Sequence, residues 1–435
     1  MRFVLASEDL SAELSVGDVV DLEVGPIAHG GFCVARHEGR VVFVRHTLPG
    51  ERIRARVTEA REGHRFVRAD CVEVLTPSAE RVTPPCPYAG PGLCGGCDFQ
   101  HVRVPYQREL KAAVVREQFA RLAGLDVDVV VEAVPGDVDG VGWRTRVEFA
   151  VDPSGRAGLR EHRSHEVVPV TTCLIADRRI LATGVLEQDW SAHEGVDVVA
   201  PSVGEPVAVA LPVEVGEVPI VVEHVAGQRF WGDFEVSARG FWQVHPGAAA
   251  TFVDAVLELL EPCPGETALD LYSGVGLFAA ALAAAVGADG RVVAVESDPD
   301  AVAGAERNLA AYPSVVALRS RVDDAFGVPR ASRSGPTGRR AQRSRKLRRH
   351  PLLPLRAELV VLDPPRTGAG RGVVDQVTAL APRSIAYVAC DPAALARDTA
   401  YLRANGYELR ELRAYDAFPM TQHLECIALF GPSTA

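Results

Sequence analysis

Cys390, in AYVACDPAALA (386–396), is the residue of this 435-residue chain best placed to act as a nucleophile. The apolar run Ser384–Ala389 predicts a buried strand that ends at the thiol. Asp391 and Pro392 then have the character of an N-cap and a first helical residue. A thiol between a strand's carboxyl end and a helix N-terminus meets the positive end of the helix dipole, which favours thiolate. A lone cysteine is more commonly an inert core side chain, so the neighbouring motifs must decide. A carboxylate comes from the final apolar run, AFPMTQHLECIAL, which carries His423 and Glu425. Cys426, Ile427, Ala428 and Leu429 predict partial burial of Glu425, and burial raises a carboxyl's pKa toward a range useful for proton transfer.

A cofactor signal lies upstream. DLYSGVG (270–276) is a glycine turn between a strand and a helix, and Glu296 ends the next strand, 22 residues beyond Gly274. Glycines let the backbone approach a ligand, and a carboxylate at that place can accept both ribose hydroxyls. The turn lacks the GxGxxG of a pyrophosphate cradle, which favours S-adenosylmethionine over NAD. Asp363 opens DPPR at the end of a later strand. In amino-methyltransferases an aromatic residue follows DPP and stacks on the target base. Arg366 stands there instead, which disfavours amino methylation.

A separate constellation is Cys86-x7-Cys94-x2-Cys97, with Cys173 as the best fourth ligand. Four thiolates suit a [4Fe–4S] cluster or tetrahedral zinc, and spacing alone does not separate the two. Nine cysteines, odd in number and uneven in spacing, fit metal or catalytic use better than a disulfide framework.

The elements that must position these groups divide the chain in three. Residues 1–80 read as a small β-barrel: in ERIRARV, Arg52, Arg54 and Arg56 alternate with Ile53, Ala55 and Val57, giving one cationic and one apolar face. Such a face suits sequence-tolerant contact with phosphates. Residues 81–235 hold the cysteine motif, an amphipathic helix over 105–124 and a β-rich domain. Residues 236–435 alternate strand and helix, which predicts an α/β doubly wound sheet with ligands at the carboxyl ends of its strands. The stretch 328–355 is rich in Arg, Ser, Pro and Gly and lacks periodicity, so it is expected to be an exposed, disordered insertion.

The net charge of −11 argues against a nucleic-acid partner only on average, because 330–350 carries nine basic residues and no acid. Basic patches on an acidic body are compatible with RNA. No run of about 18 apolar residues exists, so no membrane span is expected. The first residues lack a long apolar h-region, and the expected location is cytoplasmic.

GPIAHGGFCVARHEGRVVFVRHTLPGERIRARV resembles a TRAM domain, an OB-like RNA-binding barrel found on RNA-modifying enzymes. FWQVHP, DLYSGVGLF, VLDPPRTG, YVACDPAALARD and FPMTQHLEC occur in the order seen in the uracil-C5 RNA methyltransferases, and the chain resembles that family over nearly its whole length. The TRAM-like barrel and four cysteines resemble the branch that modifies large-subunit (23S) ribosomal RNA; a transfer-RNA loop is the alternative target. The resemblance implies a Rossmann-like fold and a nucleophile at Cys390. It also implies a base at Glu425, cofactor contacts at Gln243, Tyr272, Glu296 and Asp363, and an orienting role for Arg366. The chain departs from the family where seven residues rather than five separate Cys86 from Cys94, at Ser273, where Cys is frequent, at Leu277, where a polar contact is common, and at Gln422. Two other classes compete. A radical-SAM methylthiotransferase needs CxxxCxxC and a carboxyl-terminal TRAM domain, neither of which is present. A non-catalytic RNA-binding protein would have no use for intact Cys390, Glu425, Glu296 and Asp363.

Overall fold

The computed structural model describes residues 14–61, 63–213, 218–329 and 348–433. Among the described residues, those up to Val114, with Leu159–Val168 and Pro419–Gln422, form one compact unit; those of Val115–Gly158 and Pro169–Phe418 and those from His423 form a second.

In the first unit, β1 (Val19–Ala28), β2 (Phe32–His37), β3 (Arg40–Arg45), β4 (Arg52–Glu59) and β5 (Phe66–Thr76) close into a barrel in the order β1-β2-β3-β5-β4. The alternation expected of β4 holds: Ile53, Ala55 and Val57 are buried, while Arg52 and Arg56 face solvent. The cationic face is partly neutralised from within. Arg54 is held by Asp21 at 3.0 Å and Glu73 at 2.7 Å, and Arg45 pairs with Asp70 at 2.9 Å. The exposed Arg54 pairs contribute only about 0–1 kcal/mol each, so they shape the surface field more than the stability.

The helix expected over 105–124 is α1 (Val104–Gln118), extended by a wider π-type turn, Phe119–Ala123, and closed by Gly124 at φ 62°. Short strands follow: β6 (Val131–Ala133), β7 (Arg146–Val151), β8 (Ala157–Arg160) and β9 (Val167–Pro169). After α2 (Arg178–Leu181) come β10 (Gly195–Val199), β11 (Val207–Leu211) and the hairpin of β12 (Ile220–Ala226) and β13 (Trp231–Ser237). β10 runs antiparallel between β7 and β11.

Then strand and helix alternate: α3 (Ala248–Leu260), β14 (Thr267–Leu271), α4 (Leu277–Val286), β15 (Arg291–Glu296), α5 (Pro299–Asn308), β16 (Val315–Arg319) and α6 (Val322–Phe326). They continue with β17 (Leu359–Leu362), α7 (Arg371–Thr378), β18 (Ser384–Ala389), α8 (Pro392–Ala404), β19 (Tyr407–Asp416) and β20 (Glu425–Pro432). The sheet order is β16-β15-β14-β17-β18-β20-β19-β6. Pairing is parallel from β16 to β18, and β20 is inserted antiparallel between β18 and β19. The central strands are fully buried, which explains their continuous Val/Leu/Ala runs. The order reverses at β14, so the crevice for a ligand opens at the carboxyl ends of β14, β15 and β17.

Of the basic stretch 328–355, residues 330–347 lie outside the described residues. Its carboxyl flank is anchored: the His350 N–H donates to Ala325 O at 2.7 Å and Arg349 lies over the Phe326 ring at 5.2 Å. No helix among the described residues is long and apolar enough to cross a membrane.

Candidate active site

The turn after β14 is fixed by its own backbone. Tyr272 and Ser273 donate their N–H groups to Val295 O at 2.9 and 3.1 Å, and Tyr272 adopts φ +67°. A bulky residue in the left-handed region stores roughly 1–3 kcal/mol, the kind of strain found at ligand clamps. Gly274 has φ +53°, and a Cβ there would meet nothing within 4 Å, so its backbone is bare to the cleft. The Glu296 carboxylate accepts the Gly274 N–H at 3.0 Å and the Ser297 and Asp298 N–H groups at 2.5 and 2.8 Å. The acid and the glycine turn therefore fix each other. The bare turn and the fixed carboxylate fit an adenosine-bearing cofactor such as S-adenosylmethionine.

Gln243 arrives on the FWQVHP segment, which is pinned by β7. Thr145 N–H donates to Val244 O at 2.9 Å. Arg146, buried, reaches the carbonyls of Ser237, Ala238 and Gly240 at 3.2–3.4 Å and the Glu223 carboxylate at 2.7 Å.

The pair expected to be catalytic comes from neighbouring strands. β18 and β20 are matched so that Ala389 faces Cys426, and one further step of that register sets Cys390 opposite Glu425. Asp391 caps α8 as expected, accepting the Ala394 N–H at 2.8 Å, with Pro392 in the first turn. The dipole-favoured thiolate expected there is opposed by the rest of the site. Burial, then the field of Glu425, push the Cys390 thiol up to about 11, and Asp363 and Asp391 add to the rise. The capping carboxylate offsets at the helix terminus the charge that the dipole would supply. Only Arg366 opposes the rise. Glu425 is itself held well above the ordinary carboxyl range, first by burial and then by Asp363, again with Arg366 opposing. Asp363 is raised to about 7 by burial. Burial above all thus favours the protonated forms of these three groups. Any cation entering the cleft lowers the pKa values of all three groups.

One cleft of about 1220 Å³ is lined by Gln243, Tyr272, Gly274, Glu296 and Asp363, the residues expected to hold the cofactor, and by Arg366, Cys390 and Glu425. Every expected catalytic and cofactor residue thus shares one cavity. His423 is not among its lining residues; its ring meets Phe418 edge-on at 6.1 Å. The sequence did not single out Phe241, which is 74% exposed, Phe418, or the 320–323 turn after β16, all of which line the same cleft. The FW dipeptide before Gln243 was the available signal for the first.

The cysteines are a different matter. Cys86, Cys94 and Cys97 are half-buried in the first unit, and Cys173 is buried in the second. The loop is locally ordered: Cys94 N–H donates to Tyr88 O at 3.1 Å, and the Gly96 N–H points at Cys94 Sγ at 3.4 Å. Among the described residues, no group of three or more His, Cys, Asp or Glu is arranged to hold a metal ion.

Comparison with known proteins agrees with this geometry. Residues 222–431 match the model of the tRNA (uracil-5-)-methyltransferase family, and residues 13–72 match the TRAM domain. An RNA methyltransferase of Streptomyces avermitilis is 46% identical, over 96% of this chain and 99% of the relative. A 23S rRNA (uracil(1939)-C(5))-methyltransferase of a Shewanella species is 31% identical, over 99% of both chains. Among solved structures, the Pyrococcus abyssi tRNA (uracil-54, C5)-methyltransferase, in complex with S-adenosyl-L-homocysteine, superposes with a TM-score of 0.63. It has 22% identity and covers 94% of this chain and 100% of that one, a likeness of fold.

Proposed function

The chain belongs to the uracil-5 RNA methyltransferase family, and from that premise we propose that it methylates C5 of a uridine in 23S ribosomal RNA through a transient Cys390 adduct. The observation that carries the reading is the placement of Cys390 opposite Glu425 in the cleft that also holds the cofactor-side residues.

C5 of uracil is a poor nucleophile. A bond from Cys390 Sγ to C6 sends the C5–C6 π pair toward O4, and the resulting enolate makes C5 nucleophilic. S-adenosylmethionine, when bound, supplies the electrophilic methyl group. Glu425 then takes the C5 proton, the C5–C6 double bond re-forms, and the Sγ–C6 bond breaks. Cys390 must shed its proton before it attacks, and Arg366 is the residue whose charge favours that loss. The target uridine has to leave its stack, which is least costly in a loop or bulge. Exposed arginines of the barrel, Arg52 and Arg56 among them, suit contact with the phosphates of such an RNA. A cytoplasmic location belongs to the same reading.

Support for a metal cluster is the donor set alone: Cys86, Cys94, Cys97 and Cys173. No step above passes through it. Anaerobic purification followed by iron, sulfide and zinc analysis tests it, and a metal-free folded protein would remove it.

Purified protein with S-adenosylmethionine should convert one uridine of a 23S fragment from a strain lacking this gene to 5-methyluridine and leave transfer RNA unchanged. Methylation of transfer RNA instead would keep the chemistry and overturn the ribosomal assignment.

A further inference from the structure

The 363–370 loop carries Asp363 and Arg366 to the cleft, and its far end rests on a carboxylate that the chemistry above does not use. Asp398, on α8, is fully buried. Its Oδ2 accepts the Ala369 N–H at 2.8 Å, the Gly370 N–H at 3.1 Å and the Tyr387 hydroxyl at 2.7 Å. Its Oδ1 accepts Nε and Nη2 of Arg397 at 3.0 and 2.7 Å. Arg397 Nη2 also donates to Thr367 O at 2.8 Å, and Tyr387 Oη accepts the Ala369 N–H at 3.0 Å. Gly368 lies against this cage with φ +75°; a Cβ there would sit 2.6 Å from Asp398 Oδ2 and collide with the Arg397 guanidinium. Buried on α8 with Leu395, Thr399 and Leu402, Asp398 occupies a core position. A charge there is tenable only when its oxygens are fully partnered. The partners it has chosen are the loop and the loop's supports. Arg366, by contrast, is exposed, so its place over the cleft depends on the backbone that carries it.

We propose that Asp398, with Tyr387 and Arg397, is a positioning residue for methyl transfer: it fixes the 363–370 loop so that Arg366 stays over Cys390 and Glu425. The inference rests on the roles given to Cys390 and Glu425 above. The groups that face Cys390 are Glu425, Asp363, Asp391 and Arg366, and those that feel Asp398 are Arg397, Tyr387 and Tyr272. Loosening the loop therefore withdraws the Arg366 charge from the thiol, while Glu425 and Asp391, which lie outside the loop, stay in place.

The test uses the full chain with Asp398→Asn and Tyr387→Phe, and Arg366→Gln as reference. The rate of iodoacetamide alkylation at Cys390, followed by peptide mass spectrometry between pH 7 and 10, reports the thiolate fraction. Arg366→Gln should slow it at each pH. Tyr387→Phe and Asp398→Asn should slow it in the same direction, with no further loss when combined with Arg366→Gln, as expected of residues acting through one another. Methyl transfer should lose up to about 100-fold in kcat, the scale of a misplacement near 1 Å. Tyr387→Phe keeps the volume and removes one oxygen, so it carries the test if Asp398→Asn does not fold. Folded variants with wild-type alkylation profiles, or losses additive to that of Arg366→Gln, would overturn the proposal. Alkylation needs neither RNA nor turnover. A wild-type protein that never bonds to RNA would therefore sink the catalytic reading while leaving this result readable.

Discussion

Cys390 stands opposite Glu425, one register step beyond the Ala389–Cys426 pair, at the carboxyl end of β18 and the amino end of β20. The antiparallel insertion of β20 beside β18 brings this about. The two residues proposed as nucleophile and proton acceptor are thus brought together by strand pairing.

If Glu425 removes the C5 proton, Glu425→Gln should still form the Cys390–RNA bond but fail to resolve it. Turnover should fall by about 10²–10⁴-fold, the usual contribution of a positioned base. Denaturing gels of the variant with unmodified RNA and S-adenosylmethionine would show an accumulated protein–RNA species. Wild-type turnover would remove Glu425 from its role.

The raised thiol and carboxyl set the pH dependence. Cys390, pushed to about 11, and Glu425, held above the ordinary range, must both lose protons before the reaction can finish. Single-turnover rates should therefore rise with pH through the neutral range, approaching tenfold per unit where one deprotonation limits. A flat profile from pH 6 to 9 would contradict a resting thiol.

Asp270 is fully buried at the end of β14 and pushed up to about 8, by burial first and then by Asp363. A raised carboxyl pKa means the folded protein holds a proton that the unfolded chain releases near 4. The associated stability is present below that value and is lost as pH rises toward 8. Asp270→Asn removes this dependence. The stability gap in its favour should widen between pH 4 and 8, by at most about 1.4 kcal/mol per unit. Thermal melts across that range check it, and parallel curves would refute the assignment.

Arg146 should matter beyond its own site. Arg146→Met leaves Glu223 buried without its cation, a change that typically costs about 3–5 kcal/mol. It also frees the carbonyls of Ser237, Ala238 and Gly240, which lead to Gln243. A lower melting temperature together with a higher KM for S-adenosylmethionine is expected. A variant that melts early with an unchanged KM would separate the ion pair from cofactor binding.

Much of this was legible in the residues. Buried parallel strands carry continuous apolar runs, so Thr267–Leu271, Arg291–Glu296 and Ser384–Ala389 could be bounded without coordinates. Asp391 and Pro392 announced α8 through capping chemistry that is local. What depends on tertiary burial was not legible. The upward push on the Cys390 thiol comes from burial and from Glu425 and Asp363, which converge on it from β20 and from the end of β17. β6 is three residues long and joins the sheet edge beside β19, a pairing no local pattern could signal. Asp398 left a trace that was passed over: an acid at the spacing of the buried face of α8, next to an arginine.

The most direct measurement is covalent trapping. An RNA substrate with 5-fluorouridine at the target position cannot give up a proton from C5, so the enzyme and S-adenosylmethionine should become locked to it. Peptide mapping should then find the modified nucleotide on Cys390, and Cys390→Ala should bind the RNA without bonding to it. An RNA methylated at C5 by a protein that never forms this bond, or that forms it at another cysteine, would contradict the account.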